Sequence, residues 1–280
     1  VLRYHGGKWR LAPWIISMMP AHRIYVEPFC GAASVLLRKP RCYSEVINDL
    51  DGEVVNVFRV LRDREHAAAL EMALRLTPFA RAEFEEAYYT PAGDDPVEMA
   101  RRTIARAFMG FGSASVTGKR MVRRKDACNT PGTGFRANTN RSGTTPAHDW
   151  AHFPEQILYF VERLQGVVIE NRPAVDIIQQ HDKADALFYC DPPYVADTRD
   201  AGGDYRHEMT NDDHRALAAV LHQVQGMVIL SGYTCMLYDE LFGAWQRVER
   251  VHHIDGARKR VECLWLNPAC SGRLSGRLAL

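Results

Sequence analysis

The chain has 280 residues, 46% of them hydrophobic, which is enough for one large α/β core or two domains. Its net charge of +1 excludes a global electrostatic signal for a polyanion, so any such signal must be local. Seven cysteines with no CxxC pair argue against a metal centre such as structural zinc or a disulfide framework, and fit a reducing cytoplasm. No apolar run is long enough for a membrane span, and no signal peptide is visible.

In chain order, short apolar runs predict strands at "IYVE" (24–27), "SEVIN" (44–48), "VVIE" (167–170), "LFYC" (187–190), "MVILS" (227–231) and "ECLWL" (262–266). Helical periodicity lies between several of them, at 51–74 and at 211–225, where Asn211 or Asp212 is the expected N-cap. Alternating strands and helices predict a mostly parallel sheet covered on both faces. The tail "SGRLSGRLAL" is a short, biased repeat, expected to be poorly ordered.

The alternation breaks between about 65 and 155. From 100 to 150 there are ten Lys/Arg against two Asp, a local excess of +8. The spacing reads as a separate module spliced into the α/β domain. Composition alone also fits a solvated basic loop. Against it, Phe108, Phe111, Phe135 and Trp150 offer a small core or stacking surfaces.

Three stretches carry candidate chemistry. "VEPFCGAAS" (26–34) follows the first predicted strand and is expected to open a helix. Small residues there let the backbone approach a ligand, and a helix N-terminus offers free N–H groups. The stretch is not GxGxxG, which argues against a pyrophosphate-linked dinucleotide. Asp49 lies eighteen residues after Gly31, at the end of the second predicted strand. An acid at about this spacing accepts hydrogen bonds from ribose hydroxyls. Asp51 suits the cap of the next helix, near Gly52, and leaves Asp49 for the ribose. The third stretch, Asp191-Pro192-Pro193-Tyr194, stands at the carboxyl end of the fourth predicted strand, where open α/β folds bind ligands. Two prolines fix two φ angles and remove two donors. The carboxylate and rigid carbonyls then form an acceptor cluster beside an aromatic ring, suited to an amino group on a flat ring. A plain turn with a capping acid is the bland alternative.

These motifs bring a family into view. "YHGGKWRLAPWI", "VEPFCGAASVLL", "INDLDGEVVNVF", "FYCDPPYV", "VILSGY" and "GARKRVECLWLN", in that order, resemble the DNA adenine-N6 methyltransferases of the Dam family. The resemblance covers nearly the whole chain outside 65–155. It implies an α/β fold: a Rossmann-like methyltransferase sheet, mostly parallel with an antiparallel C-terminal hairpin, plus an inserted, mainly helical DNA-recognition domain. The expected division is 1–64 and 154–280 for the catalytic domain and 65–153 for the insert. S-adenosyl-L-methionine is the implied methyl donor, with Tyr4, Lys8, Glu27, Phe29, Gly31, Asp49 and Asp191 as its contacts. Asp191, Pro192, Pro193 and Tyr194 are the implied catalytic residues, Tyr194 stacking on the base. Where a typical first motif has "GAGS" this chain has "GAAS", a loss expected to tighten the turn without abolishing binding.

The implied reaction has Asp191 and the Pro192 carbonyl accept hydrogen bonds from the adenine N6 amine, which attacks the methyl group without a general base. The base must first be flipped out of the duplex. Lys119, Arg120, Arg123, Arg124 and Lys125 of the insert, and Arg258, Lys259 and Arg260 between the last two predicted strands, are the expected DNA contacts. Duplex DNA is therefore the expected partner, in a bacterial or phage-infected cell. A restriction endonuclease partner, the oligomeric state and the target sequence stay open. DPPY serves any exocyclic amine, so N4-cytosine and RNA adenine methyltransferases stay open too. An inactive DNA-binding relative and a nucleotide-cofactor oxidoreductase are disfavoured by the intact DPPY.

Overall fold

Each apolar run becomes a strand of one sheet, and the order of those strands sets where a ligand can bind. The structure, a computed structural model, describes residues 7–110, 121–123, 129–131, 134–137, 144–199, 205–254 and 258–278. Helix α1 (Ala12–Ser17) precedes β1 (Ile24–Glu27) and β2 (Ser44–Asn48). Helices α2 (Gly52–Arg62), α3 (Arg64–Leu76), α4 (Arg81–Tyr89) and α5 (Pro96–Met109) follow. A small antiparallel pair, β3 (Met121–Arg123) and β4 (Asn129–Pro131), comes before α6 (Pro146–His152) and α7 (Ile157–Leu164). The chain then runs through β5 (Val167–Glu170), α8 (Ala174–His181), β6 (Ala186–Cys190), α9 (Asn211–Leu221), β7 (Met227–Gly232) and α10 (Met236–Phe242). It ends in β8 (Gln246–Ile254), β9 (Arg258–Leu266) and α11 (Pro268–Leu278).

The seven-stranded sheet has the order β5-β2-β1-β6-β7-β9-β8. The first five strands in that order are parallel, and the β8–β9 hairpin adds on antiparallel to β7. This is the Rossmann-like methyltransferase architecture that the motifs imply. Side chains alternate between faces with the strand period of two. Leu187 and Tyr189 of β6 enter one core cluster, and Ala186, Phe188 and Cys190 enter the other. Both faces are covered, which is why these strands read as continuous apolar runs.

Several local expectations change. The helical pattern at 51–74 is two helices, because Asp63 stops α2 with extended backbone and caps α3 by accepting from His66 N at 2.9 Å. Thr210, not Asn211 or Asp212, caps α9, in a reciprocal capping box with Asp213. Residues 31–38 form successive turns rather than a regular helix. Their left-handed residues, Gly31 (φ 46°) and Ala33 (φ 49°), break any helical run. Arg258, Lys259 and Arg260 lie inside β9, not in a connection between strands, and β8 is an extra strand with few apolar residues to announce it. The tail continues as α11 to Leu278, packed on β7 and β9, rather than as an unstructured repeat.

The helices at 64–109 do not stand apart from the sheet. Helix α5 packs along α2, and Asn56 Nδ2 donates to the Pro96 carbonyl at 2.9 Å. Arg106 donates to the Ala87 carbonyl at 3.0 Å and pairs with Glu53 of α2. Trp150 Nε1 donates to the Thr77 carbonyl at 2.8 Å. Phe108 and Trp150 are buried in the same core cluster as Tyr25 and Ile47 of the sheet. Phe135 packs 5.1 Å from Phe79, and Phe111 lies outside the described residues. These described aromatics build core, not stacking surface.

Candidate active site

In this strand order the chain reverses direction between β1 and β6, whose carboxyl ends open a crevice between diverging connections. The turn after β1 is held from below and from the side. Glu27 Oε1, at the end of β1, accepts from Leu36 N and from the Tyr25 hydroxyl, each at 2.6 Å. Asp49 accepts from Gly31 N at 2.8 Å on Oδ2 and from Asp51 N at 2.9 Å on Oδ1. Each Asp49 oxygen keeps a second lone pair for a ligand. Asp51 caps α2 through Glu53 N at 3.0 Å, as its position predicts. Burial pushes Asp49 up to about 6 and Glu27 up to about 7, against the hydrogen bonds that favour their ionised forms.

These groups line a cavity of about 380 Å³. That size lies in the range of small-molecule and cofactor sites. Six acidic residues line it, Glu27, Asp49, Asp51, Asp191, Glu208 and Asp213, with the cations Lys8 and Arg206. An anionic wall repels a pyrophosphate and attracts a cationic ligand. Apolar surface from Phe29, Pro173, Ala174 and Leu217 offers a seat for a flat ring. The lining therefore suits a ligand that combines a flat ring with positive charge.

The Asp-Pro-Pro-Tyr turn leaves β6 at the floor of this cavity. Two prolines keep it out of any regular element, and Pro192 and Tyr194 are buried. Asp191 Oδ1 accepts from Ser231 Oγ at 2.5 Å and lies 3.0 Å from Lys8 Nζ. Lys8 Nζ is also 3.7 Å from Glu262 Oε1 and 4.8 Å from the centroid of the Tyr194 ring. The Tyr194 hydroxyl donates to Glu262, and Tyr233 meets the Tyr194 ring edge-on at 4.7 Å. Burial pulls the Lys8 ammonium down, but Asp191 and Glu262 outweigh it and hold the group well above its usual range. Burial pushes Asp191 up, opposed by Lys8.

The structure brings Lys8, Glu27, Phe29, Gly31, Asp49, Asp191 and Pro193 together on one cavity wall. Tyr194 sits just behind it, with its ring covered by Lys8. Tyr4, Lys119, Arg120, Arg124 and Lys125 lie outside the described residues, as do the side chains of Arg123, Arg258 and Lys259. Arg260 stands 5.1 Å over the Tyr233 ring, close to the Asp-Pro-Pro-Tyr turn. Sequence reasoning missed Ser231 and Glu262 behind Asp191. It also missed Tyr205, Arg206 and Glu208, which reach the cavity from the segment before α9. Only their place near known motifs, "VILSGY" and "VECLWL", hinted at the first two.

Among curated proteins, the DNA adenine methylase of Escherichia coli K12 is 23% identical over 280 residues, spanning 93% of this chain and 92% of that protein. The DNA adenine methylase of Salmonella typhimurium matches at the same identity and the same spans. That of Vibrio cholerae is 24% identical over 223 residues, 78% of this chain and 74% of the relative. The model of the D12 class N6 adenine-specific DNA methyltransferases matches residues 4–259. With the strand order and the Asp-Pro-Pro-Tyr site both in place, the chain belongs to the D12 class of N6 adenine-specific DNA methyltransferases.

Proposed function

We propose that the protein transfers a methyl group from S-adenosyl-L-methionine to the N6 amine of an adenine flipped out of duplex DNA. The observation that carries this reading is Asp191, a half-buried carboxylate at the floor of an acidic cavity of cofactor size. When bound, S-adenosylmethionine supplies an electrophilic methyl group. Lys8, Glu27, Phe29, Gly31 and Asp49 line the cavity that would hold it, with Asp49 taking the ribose hydroxyls. Tyr4 joins them by motif position.

Both contacts of Asp191 with Ser231 and Lys8 fall on Oδ1, so we assign Oδ2 to the target amine. The Pro192 carbonyl accepts the second amine hydrogen. These two acceptors draw the nitrogen towards tetrahedral geometry and free its lone pair. Asp191 is also the nearest carboxylate to receive the proton once the nitrogen is cationic. Tyr194 packs on the base, which must displace the Lys8 ammonium from that ring. Catalysis is alignment and electrostatics.

Residues 65–153 supply target recognition in this reading, and 1–64 with 154–280 the chemistry. Lys119, Arg120, Arg123, Arg124, Lys125, Arg258, Lys259 and Arg260 contact the DNA. Unstacking the base costs a few kcal/mol, which phosphate contacts offset. The test is transfer from labelled S-adenosylmethionine to unmethylated duplex DNA and to RNA of mixed sequence, with the modified nucleoside identified by mass. N6-methyladenine in DNA alone is expected. N4-methylcytosine, or label in RNA, would overturn the substrate.

A further inference from the structure

We propose that Glu262 is a positioning residue of this site: its carboxylate holds the Tyr194 phenol and shares the Lys8 ammonium with Asp191. The inference rests on the methyl-transfer reading above.

The register of the sheet explains how a residue so far along the chain arrives there. Strand β9 runs antiparallel to β7, with Ser231 opposite Leu264 and Gly232 opposite Cys263. Its early residues therefore reach the carboxyl edge of the parallel strands, where the Asp-Pro-Pro-Tyr turn begins. Glu262 falls one position beyond Cys263 and is 2% exposed. A carboxylate buried to that extent needs partners, and two of those among the described residues come from the active site. The Tyr194 hydroxyl donates to Oε1, and Lys8 Nζ lies 3.7 Å from the same atom.

This affects the reaction in two ways. The phenol is tied at its far end, so the ring that packs on the target base is fixed in tilt and depth. The Lys8 ammonium is divided between two acids, 3.0 Å from Asp191 and 3.7 Å from Glu262. Without Glu262, Lys8 loses one of the two carboxylates it shares, so its hold on Asp191 tightens where the target amine must also bind. Removal of the Glu262 charge thus weakens the transfer step more than the binding of the cofactor.

The experiment compares wild type, Glu262→Gln, Tyr194→Phe and the double variant. It measures methyl transfer to duplex DNA, the Kd for S-adenosylmethionine by calorimetry, and thermal unfolding. Glu262→Gln is expected to lower kcat about tenfold or more, with the cofactor Kd within about twofold of wild type. Because Tyr194→Phe cuts one of the same links while keeping the ring, the double variant should lose less than the product of the single losses. A Glu262→Gln kcat equal to wild type overturns the proposal. So does a kcat loss matched by an equal loss of cofactor affinity, or strictly multiplicative losses in the double variant. If Glu262→Gln gives no cooperative unfolding transition, Tyr194→Phe decides: a lowered kcat upholds the link and a wild-type kcat overturns it. A wild-type protein that binds the cofactor but methylates no DNA sinks the underlying reading, and this inference with it. That pattern differs from a defect confined to the variants.

Discussion

The cavity and helix α5 use charge in opposite ways. In the cavity, acidic residues outnumber cations, which suits a cationic ligand once they ionise, although burial raises Glu27 and Asp49 towards the acid form. Helix α5 carries Arg101, Arg102 and Arg106, which composition counts towards a surplus suited to DNA. All three are paired. Arg101 binds Glu98 and Glu83, Arg102 binds Glu98 and Glu86, and Arg106 binds Glu53. Part of the basic surplus is therefore internal scaffolding, which joins α5 to α4 and α2. A charge count along the chain reports partners only after such pairs are removed.

The strongest way to break this contrast is at Asp191. Asp191→Ala should lower methyl transfer by about a hundredfold to a thousandfold, by loss of oriented acceptor and charge. Wild-type turnover in that variant would remove Asp191 from the chemistry. In the helices, Arg106→Ala should do the reverse. It leaves Glu53 paired with Arg206 at 2.9 Å but removes the donor to the Ala87 carbonyl, and should destabilise the fold by about 1–3 kcal/mol, read by denaturant unfolding. Its salt dependence of DNA binding should stay as in wild type. By contrast, neutralising Lys119 or Arg120 should lower the slope of log affinity against log salt by roughly 0.9 for each phosphate left without its cation, with stability little changed. An unchanged slope would take those residues off the DNA.

The pH response separates the two regions further. Glu27 and Asp49 have folded pKa values, about 7 and about 6, raised above those of the unfolded chain. Their raised values favour folding at low pH, and that stability is lost as pH rises from about 4 to 7. Affinity for a cationic cofactor should move the other way and rise over about pH 5.5–7.5, as the carboxylates ionise. Calorimetric titration at several pH values checks this, and a flat profile would remove these acids from cofactor binding. The smallest effect is expected at Ala33. Its left-handed backbone (φ 49°) disfavours a Cβ, yet its methyl group is fully buried. Strain of about 1–2 kcal/mol is thus opposed by about 1 kcal/mol of lost burial and by glycine's backbone entropy. Ala33→Gly should shift Tm by no more than about 4 °C in either direction.

Local sequence determined the six apolar strands, though not β8, and it determined the cap at Asp51 and the place of Asp191, because each depends on neighbours a few residues away. A short continuous apolar run marks a strand buried on both faces, a small acid marks a helix start, and paired prolines mark a rigid exit from a strand. The cavity contacts carried by short motifs were legible for the same reason. The left-handed turn at Ala33 was not, since a family glycine replaced by alanine gives no sign that the backbone geometry is kept. Glu262, Ser231 and Arg206 were hidden more deeply. They join Asp191, Lys8, Asp51 and Glu53 only because β9 runs back along β7 and the segment before α9 folds over the cavity. The pairing of Arg106 with Glu53, fifty-three residues apart, has the same origin. Such partners are chosen by packing and strand register, and electrostatic pairing in a buried setting depends on distance in space rather than distance along the chain.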